Sequence, residues 1–306
     1  MGKLNLNLYS DDELLLMPIK KLARGRVQSF SREIKAFITK ELKARSIHFS
    51  PAVWCSTEWF SPDGCAGFAY PFYLLDDRFK QIYLNYFYEI EGKDQIEIKK
   101  IIRHECAHAL DNAFALRKLK KRQSLFGYSS VIYPTSYSPN LTSNNFIHHL
   151  GDCYGASHPD EDWAETFAVW LSEVKPVLKS DAARDKYNYL ASVFENTKRF
   201  KKPHLKTAFF ADNALYEEMT FSEFICYRKK NIREALSIFD EPITLSINKK
   251  SLYNLVLKSV ISAEKAKIIT RNIYDVSEIL RKQSGSPISL LSNTLIKQNG
   301  FNQVVM

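Results

Sequence analysis

The sequence predicts an α+β fold in which a small mixed sheet precedes a long helix and a mainly helical C-terminal half. Three observations favour this prediction. The composition, with 45% hydrophobic and 25% charged residues, is that of a globular protein. Short aromatic and β-branched runs, broken by proline and glycine, fill residues 47–91 and are typical of strands. From residue 94 onward apolar residues recur at helical spacing, which predicts helices.

The first predicted element is a helix over residues 28–46, where Ile34 and Ile38 share one face. Several strands are predicted over residues 47–91, because turn-forming residues divide this stretch into short runs. Residues 82–90 are the strongest strand candidate among them. The sheet is therefore expected to precede the central helix.

The central helix is predicted over residues 94–119, with isoleucine and alanine on its apolar face. Residues 123–158 are rich in Tyr, Ser, Pro and Asn and show little periodicity. A loop of this length is uncommon, and its length suggests a functional role. Further helices are predicted over residues 160–173, 181–197, 221–239 and 262–282.

Three regions are expected along the chain. Residues 1–27 form an N-terminal extension, residues 28–240 the domain that carries the chemistry, and residues 241–306 a helical extension without recognisable chemical motifs. A chain of 306 residues is long enough to bury a large core in this arrangement.

Cysteine usage and hydropathy predict a cytoplasmic protein. The five cysteines are odd in number and lack CxxC spacing, which argues against a disulfide framework and a zinc ribbon. The apolar run at residues 14–17 follows acidic residues and is too short for a signal peptide. No apolar stretch has the length of a membrane span, although secretion by a specialised route stays open.

The net charge of +9, with a pI of about 9.1, would attract nucleic acid or an acidic surface. The basic residues lie in patches, but no recognised nucleic-acid module accompanies them, so solvated helix faces are the favoured interpretation. The expected partner is therefore a peptide or protein substrate, with nucleic acid as a less favoured alternative and no membrane partner.

The central helix contains an HExxH motif formed by His104, Glu105 and His108. Two histidines four residues apart lie one turn apart on the same helix face, so both imidazoles can reach one metal ion. Glu105 is then placed to act as a general base on a zinc-bound water molecule. The motif predicts one zinc ion per chain.

Catalytic zinc takes three protein ligands and keeps one position open, so a third ligand is expected downstream. The acids near residue 160 are the candidates, namely Glu161, Asp162 and Glu165. Glu165 lies between Ala164 and Phe167, where an unpaired carboxylate would be costly to bury and coordination would remove that cost. The sequence therefore favours Glu165 as the third ligand.

The segment Trp-Ala-Glu-Thr-Phe-Ala at residues 163–168 is similar to the third-ligand helix of gluzincins. Four ordered segments resemble a bacterial family of zinc-binding metallopeptidases, over roughly residues 30–240: residues 58–64, 69–74, 103–113 and 157–171. This resemblance implies a zincin-like metalloprotease fold with zinc held by His104, His108 and Glu165. It implies no particular substrate.

Other residues are candidates for supporting roles. Asp111 shares the face of His108 and could orient an imidazole through its second nitrogen, as could Asp162 and Glu161 from the ligand helix. An amide hydrolase also needs a donor for the oxyanion, and Tyr154 and His158 immediately precede the ligand helix.

The function expected from these residues is a zinc metallopeptidase or amidase that cleaves a peptide-like bond by attack of zinc-bound water. Three alternatives stay open. A DNA-associated SprT-like protease would suit the charge but usually has a third histidine and a zinc ribbon. A toxin or effector metalloprotease would share the chemistry, and a non-catalytic zinc-binding module would have no use for Glu105.

Overall fold

A computed structural model describes six stretches of the chain: residues 3–87, 90–133, 143–150, 154–172, 176–195 and 218–236. The chain divides into two compact units. The first comprises residues 1–79, 91–134 and 142–221, and it contains every predicted site residue; the second comprises residues 80–90, 135–141 and 222–306. The predicted helix over residues 262–282 lies outside the described residues.

Three helices open the first unit: α1 (Asp11–Leu15), α2 (Ile19–Ala23) and α3 (Val27–Ala44). Helix α1 begins with a capping box, in which Ser10 and Glu13 exchange hydrogen bonds and satisfy free backbone donors. Helix α3 confirms the prediction for residues 28–46, and its apolar stripe is buried.

The sheet has two parallel strands in the described residues, β1 (Ala52–Ser56) and β2 (Gly67–Pro71). Ala52 lies opposite Gly67, where a Cβ atom would collide with the Ala52 carbonyl oxygen, so the register requires glycine. The fold is thus α+β. The sheet is smaller than expected, and its two strands are parallel; an isolated antiparallel bridge joins Phe60 to Ala69.

The prediction of a strand over residues 82–90 is wrong. Helix α4 (Asp77–Leu84) occupies the start of this stretch, and no described residue from 85 to 90 is in a strand. Phe79, Ile82 and Tyr83 are all buried, and their spacing of three and four places them on one helix face. The aromatic and β-branched content suggested a strand, but burial on one helical stripe decided the structure.

The central helix α5 (Gln95–Phe114) is confirmed. Its N-cap is Asp94, whose side chain accepts hydrogen bonds from the Ile96 and Glu97 amides. It ends five residues before the predicted position, because Ala115 adopts a left-handed conformation with φ of 51°. A further helix, α6 (Lys120–Phe126), extends into the start of the predicted long loop, over residues 123–126.

The remaining helices follow the predicted order: α7 (Pro159–Leu171), α8 (Asp181–Glu195) and α9 (Phe221–Leu236). Every residue of α7 from Asp160 onward is buried. Trp163 is fully buried and donates a hydrogen bond to the Ala107 carbonyl, which fastens α7 to α5. No helix in the described part of the chain is long and apolar enough to cross a membrane.

Candidate metal centre

Helix α5 presents His104 and His108 on one face, one turn apart. Their ring centroids lie 5.0 Å apart and their Nε2 atoms 3.2 Å apart. His104 is buried and His108 is nearly so. The predicted pairing of the two imidazoles is therefore present in the structure.

Glu161, in the first turn of α7, completes a cluster of three potential ligand atoms. Its Oε2 atom lies 3.0 Å from His104 Nε2 and 3.4 Å from His108 Nε2. In a tetrahedral zinc site with bonds of about 2.0–2.1 Å, two ligand atoms are about 3.3 Å apart. The cluster thus has the dimensions and the buried environment to hold a metal ion.

The hydrogen bonds around Glu161 leave one oxygen free for a cation. Tyr133 donates its hydroxyl hydrogen to Oε1 of Glu161 at 2.8 Å. The buried Oε2 atom accepts no hydrogen bond from the part of the chain that the structure describes, although two imidazole nitrogens lie close to it. Because a buried carboxylate oxygen that accepts no hydrogen bond is costly, the residues present fit a metal ion at this point.

Glu165 contacts Nδ1 of His104, whereas Glu161 contacts Nε2. This position differs from the metal-ligand role that the sequence predicts for Glu165. Its Oε1 atom lies 3.0 Å from His104 Nδ1, a contact that favours a hydrogen on Nδ1; in the neutral imidazole Nε2 then keeps its lone pair for a metal ion. Its Oε2 atom accepts hydrogen bonds from the His149 and Leu150 amides. Gly155 packs against the Glu165 side chain, where a Cβ atom would come within 3.2 Å.

The electrostatics of the cluster favour positive charge. Burial lowers the pKa of His104, but the Glu161 and Glu165 carboxylates outweigh burial and raise it well above its ordinary value. Burial raises the pKa of Glu161, but His108 and His104 hold it well below its ordinary value. Either protons on the two imidazoles or a metal cation between them would balance the charge of the Glu161 carboxylate.

Glu105 is buried beside the three candidate ligands. Burial raises its pKa, and the neighbouring Glu161 and Glu91 add to that shift, while His104 and His108 oppose it. A carboxylate with a raised pKa is a better proton acceptor near neutral pH than an exposed one.

The two predicted oxyanion donors have different surroundings. His158 is the N-cap of α7: its Nδ1 accepts from the Asp160 amide, and its Nε2 lies 2.8 Å from the Val131 carbonyl oxygen. With both nitrogens engaged, its ring has no hydrogen to offer a substrate. The Tyr154 ring lies 6.4 Å from the His104 ring and stays a candidate.

Asp111 and Asp162 contact cationic side chains instead of the imidazoles they were predicted to orient. Asp111 accepts hydrogen bonds from Arg122 Nη2 at 2.9 Å and from the Arg117 amide. Asp162 accepts from Lys186 Nζ at 2.7 Å. Glu165 makes the contact that the sequence had assigned to these aspartates.

For two residues of the site, Glu161 and Tyr133, the role expected from the sequence differs from the role that their position indicates. The sequence favours Glu165 over Glu161 as the third ligand, although their spacing of four places both on one helix face. Tyr133 lies in the aperiodic loop, where no sequence pattern distinguishes it from the other tyrosines.

Comparisons with protein-family models, curated proteins and solved structures found no match. The resemblance to zinc-binding metallopeptidases therefore stays an expectation, and the site has to be interpreted from its own chemistry.

Proposed function

We propose that the chain is a zinc-dependent hydrolase that cleaves a peptide-like amide bond. The observation that carries the proposal is the convergence of His104 Nε2, His108 Nε2 and Glu161 Oε2 beside the buried Glu105. Two histidines and one glutamate form a donor set that zinc hydrolases use, with a fourth position left for water or substrate. A site that only supports folding usually has four protein ligands instead.

The other contacts of the cluster have positioning roles. Glu165 would accept the Nδ1 hydrogen of His104 and so leave Nε2 available to hold a metal ion. Tyr133 binds Oε1 of Glu161 and leaves Oε2 for coordination. A bound zinc ion would supply Lewis acidity and lower the pKa of an adjacent water molecule to about 7.

Glu105 carries the proton transfers in this proposal. Its carboxylate accepts a proton from the water molecule that attacks the amide carbonyl carbon. It then donates that proton to the amine nitrogen as the carbon–nitrogen bond breaks, so Glu105 returns to its starting state. Tyr154 is the candidate hydrogen-bond donor to the carbonyl oxygen, on which negative charge develops.

The metal site is tested by elemental analysis of protein purified without added metal. Glu161→Ala and Glu165→Ala form a matched pair, because they remove the same side chain one turn apart on the same helix. The wild type should contain about one zinc per chain, Glu161→Ala should lose it, and Glu165→Ala should keep a weaker site. Zinc lost only in Glu165→Ala would restore the ligand assignment that the sequence favours.

Catalysis is tested by incubating zinc-loaded protein with a peptide library and measuring new amino termini. Glu105→Gln is the matched control, since it keeps the size of the side chain and the zinc ligands. We expect cleavage by the wild type and a loss of roughly 100-fold or more in the variant. If both proteins load zinc and cleave equally or not at all, the hydrolase proposal is wrong and the site only binds metal.

A further inference from the structure

The segment Tyr128–Tyr133, which follows α6, exposes an unusual concentration of large apolar side chains. Tyr128, Val131, Ile132 and Tyr133 expose 62%, 53%, 88% and 47% of their surface. Ten large hydrophobic residues are exposed in the described part of the chain, and four of them lie in these six residues. Single exposed apolar residues are ordinary, whereas a cluster suggests a binding surface.

This segment is held in place by hydrogen bonds to the beginning of α7. Ser129 donates its hydroxyl hydrogen to Asp160 and accepts a hydrogen bond from Arg122. The Val131 carbonyl oxygen is bonded to His158 Nε2. The exposed side chains are therefore presented by a fixed backbone, which lowers the entropy cost of binding a ligand against them.

The same segment ends at the metal cluster. Tyr133 donates to Glu161 Oε1 at 2.8 Å, and its ring stacks on His158 with a centroid distance of 3.7 Å. Tyr128, Val131 and Ile132 therefore belong to the same short segment as Tyr133, the residue that contacts the candidate ligand Glu161.

We propose that Tyr128, Val131 and Ile132 bind a large apolar side chain of the peptide substrate, close to the bond that is cleaved. This inference rests on the proposed hydrolase function. A polypeptide is the occupant that fits both parts of the surface, since its carbonyl group suits the metal cluster and its side chain suits the apolar segment. The four exposed side chains of residues 128–133 offer far less surface area than the about 1,200–2,000 Å² that a stable protein interface buries. A peptide side chain therefore suits this surface better than a folded protein partner.

The test compares the cleavage of alanine-based peptides of one length that carry Leu, Phe, Ala or Asp at a single varied position. We expect the wild type to cleave Leu and Phe peptides with kcat/KM about tenfold above the Ala peptide. In the double variant Val131→Ser with Ile132→Ser, this preference should fall to about twofold or less, while the zinc content stays unchanged.

Val177→Ser is the matched control, because Val177 is 85% exposed and lies in a different stretch, before α8. It should keep the preference of the wild type. Zinc-dependent cleavage without an apolar preference, or a preference that the double variant retains, overturns this inference and leaves the hydrolase proposal intact. If no peptide is cleaved by zinc-loaded protein, the hydrolase proposal fails and this inference fails with it.

Discussion

Helix α7 buries two pairs of acids that meet positive charge in different ways. The four residues are Asp160, Glu161, Asp162 and Glu165. Each aspartate contacts a cationic side chain at 2.7 Å, Asp160 with Arg122 and Asp162 with Lys186. Both glutamates contact His104 instead, and neither is paired with a lysine or arginine among the described residues.

This difference separates the acids that support the fold from those that serve the site. A buried carboxylate is costly unless a counter-charge accompanies it. Arg122 and Lys186 are permanent counter-charges, so the aspartates have no place for an added cation. The imidazoles around Glu161 are neutral when they bind a metal, so that carboxylate depends on a cation from solution.

The largest effect should come from removing a permanent counter-charge. Arg122 is fully buried and contacts both Asp111 and Asp160, so Arg122→Met leaves two buried acids with the more distant Arg117 as their shared cationic side chain. We expect the free energy of unfolding, measured by urea denaturation, to fall by about 3–5 kcal/mol.

Lys186→Met is the control for that variant. Burial raises the pKa of Asp162 to about 7 even though Lys186 lowers it, so this acid can take up a proton at neutral pH when Lys186 is removed. The loss should be smaller, about 1–3 kcal/mol. If both variants lose equal stability, the network around Arg122 has no special part in holding α7.

Helical spacing allowed the sequence to predict the HExxH helix and the ligand helix, because one face of each carries a regular apolar pattern. The third ligand could not be chosen in the same way. Apolar neighbours favoured Glu165, but nearly all of α7 is buried, so such neighbours do not distinguish Glu165 from Glu161. The choice depends on how α7 packs against α5, which local patterns do not encode.

The strands show the same limit in another part of the chain. Aromatic and β-branched residues predicted several strands over residues 47–91, yet only residues 52–56 and 67–71 form them in the described part. Tertiary burial of Phe79, Ile82 and Tyr83 on one helical face overrides their intrinsic strand preference.

A metal ion should offset the charge of the buried glutamates of α7, as Arg122 and Lys186 offset the charge of its aspartates. At free zinc one hundred times its Kd, the free energy of unfolding of the wild type should rise by about 2.7 kcal/mol. Glu161→Gln keeps the side-chain size but loses the charge, and it should gain much less. An equal gain in both proteins, in urea titrations with zinc or with a chelator, would place the metal elsewhere.

Glu165→Gln tests whether the second glutamate orients His104 without binding the metal. Glutamine has one acceptor oxygen where glutamate has two, so it can accept either the Nδ1 hydrogen of His104 or the hydrogen bonds of the His149 and Leu150 amides, but not both. We expect zinc affinity, measured by competition with a chromophoric chelator, to fall by about 10–100-fold. Unchanged affinity would contradict the orienting role, and complete loss would identify Glu165 as a ligand.

The smallest effect should come from His149, whose amide supports Glu165 and whose ring Nε2 lies 3.2 Å from the Lys100 carbonyl oxygen. Burial lowers the pKa of His149 from 6.5 to about 4, although Glu165 opposes this shift. Between those values the unfolded chain binds a proton that the folded chain does not, so stability is lost as the pH falls.

Replacing this histidine with asparagine should remove that part of the pH dependence. Between pH 7.5 and pH 5.5 the wild type should lose about 1 kcal/mol more free energy of unfolding than His149→Asn. His48→Asn is the matched control, because the His48 side chain is exposed in the folded protein, and it should follow the wild type. Parallel stability curves for all three proteins would mean that His149 titrates alike in the folded and unfolded chains.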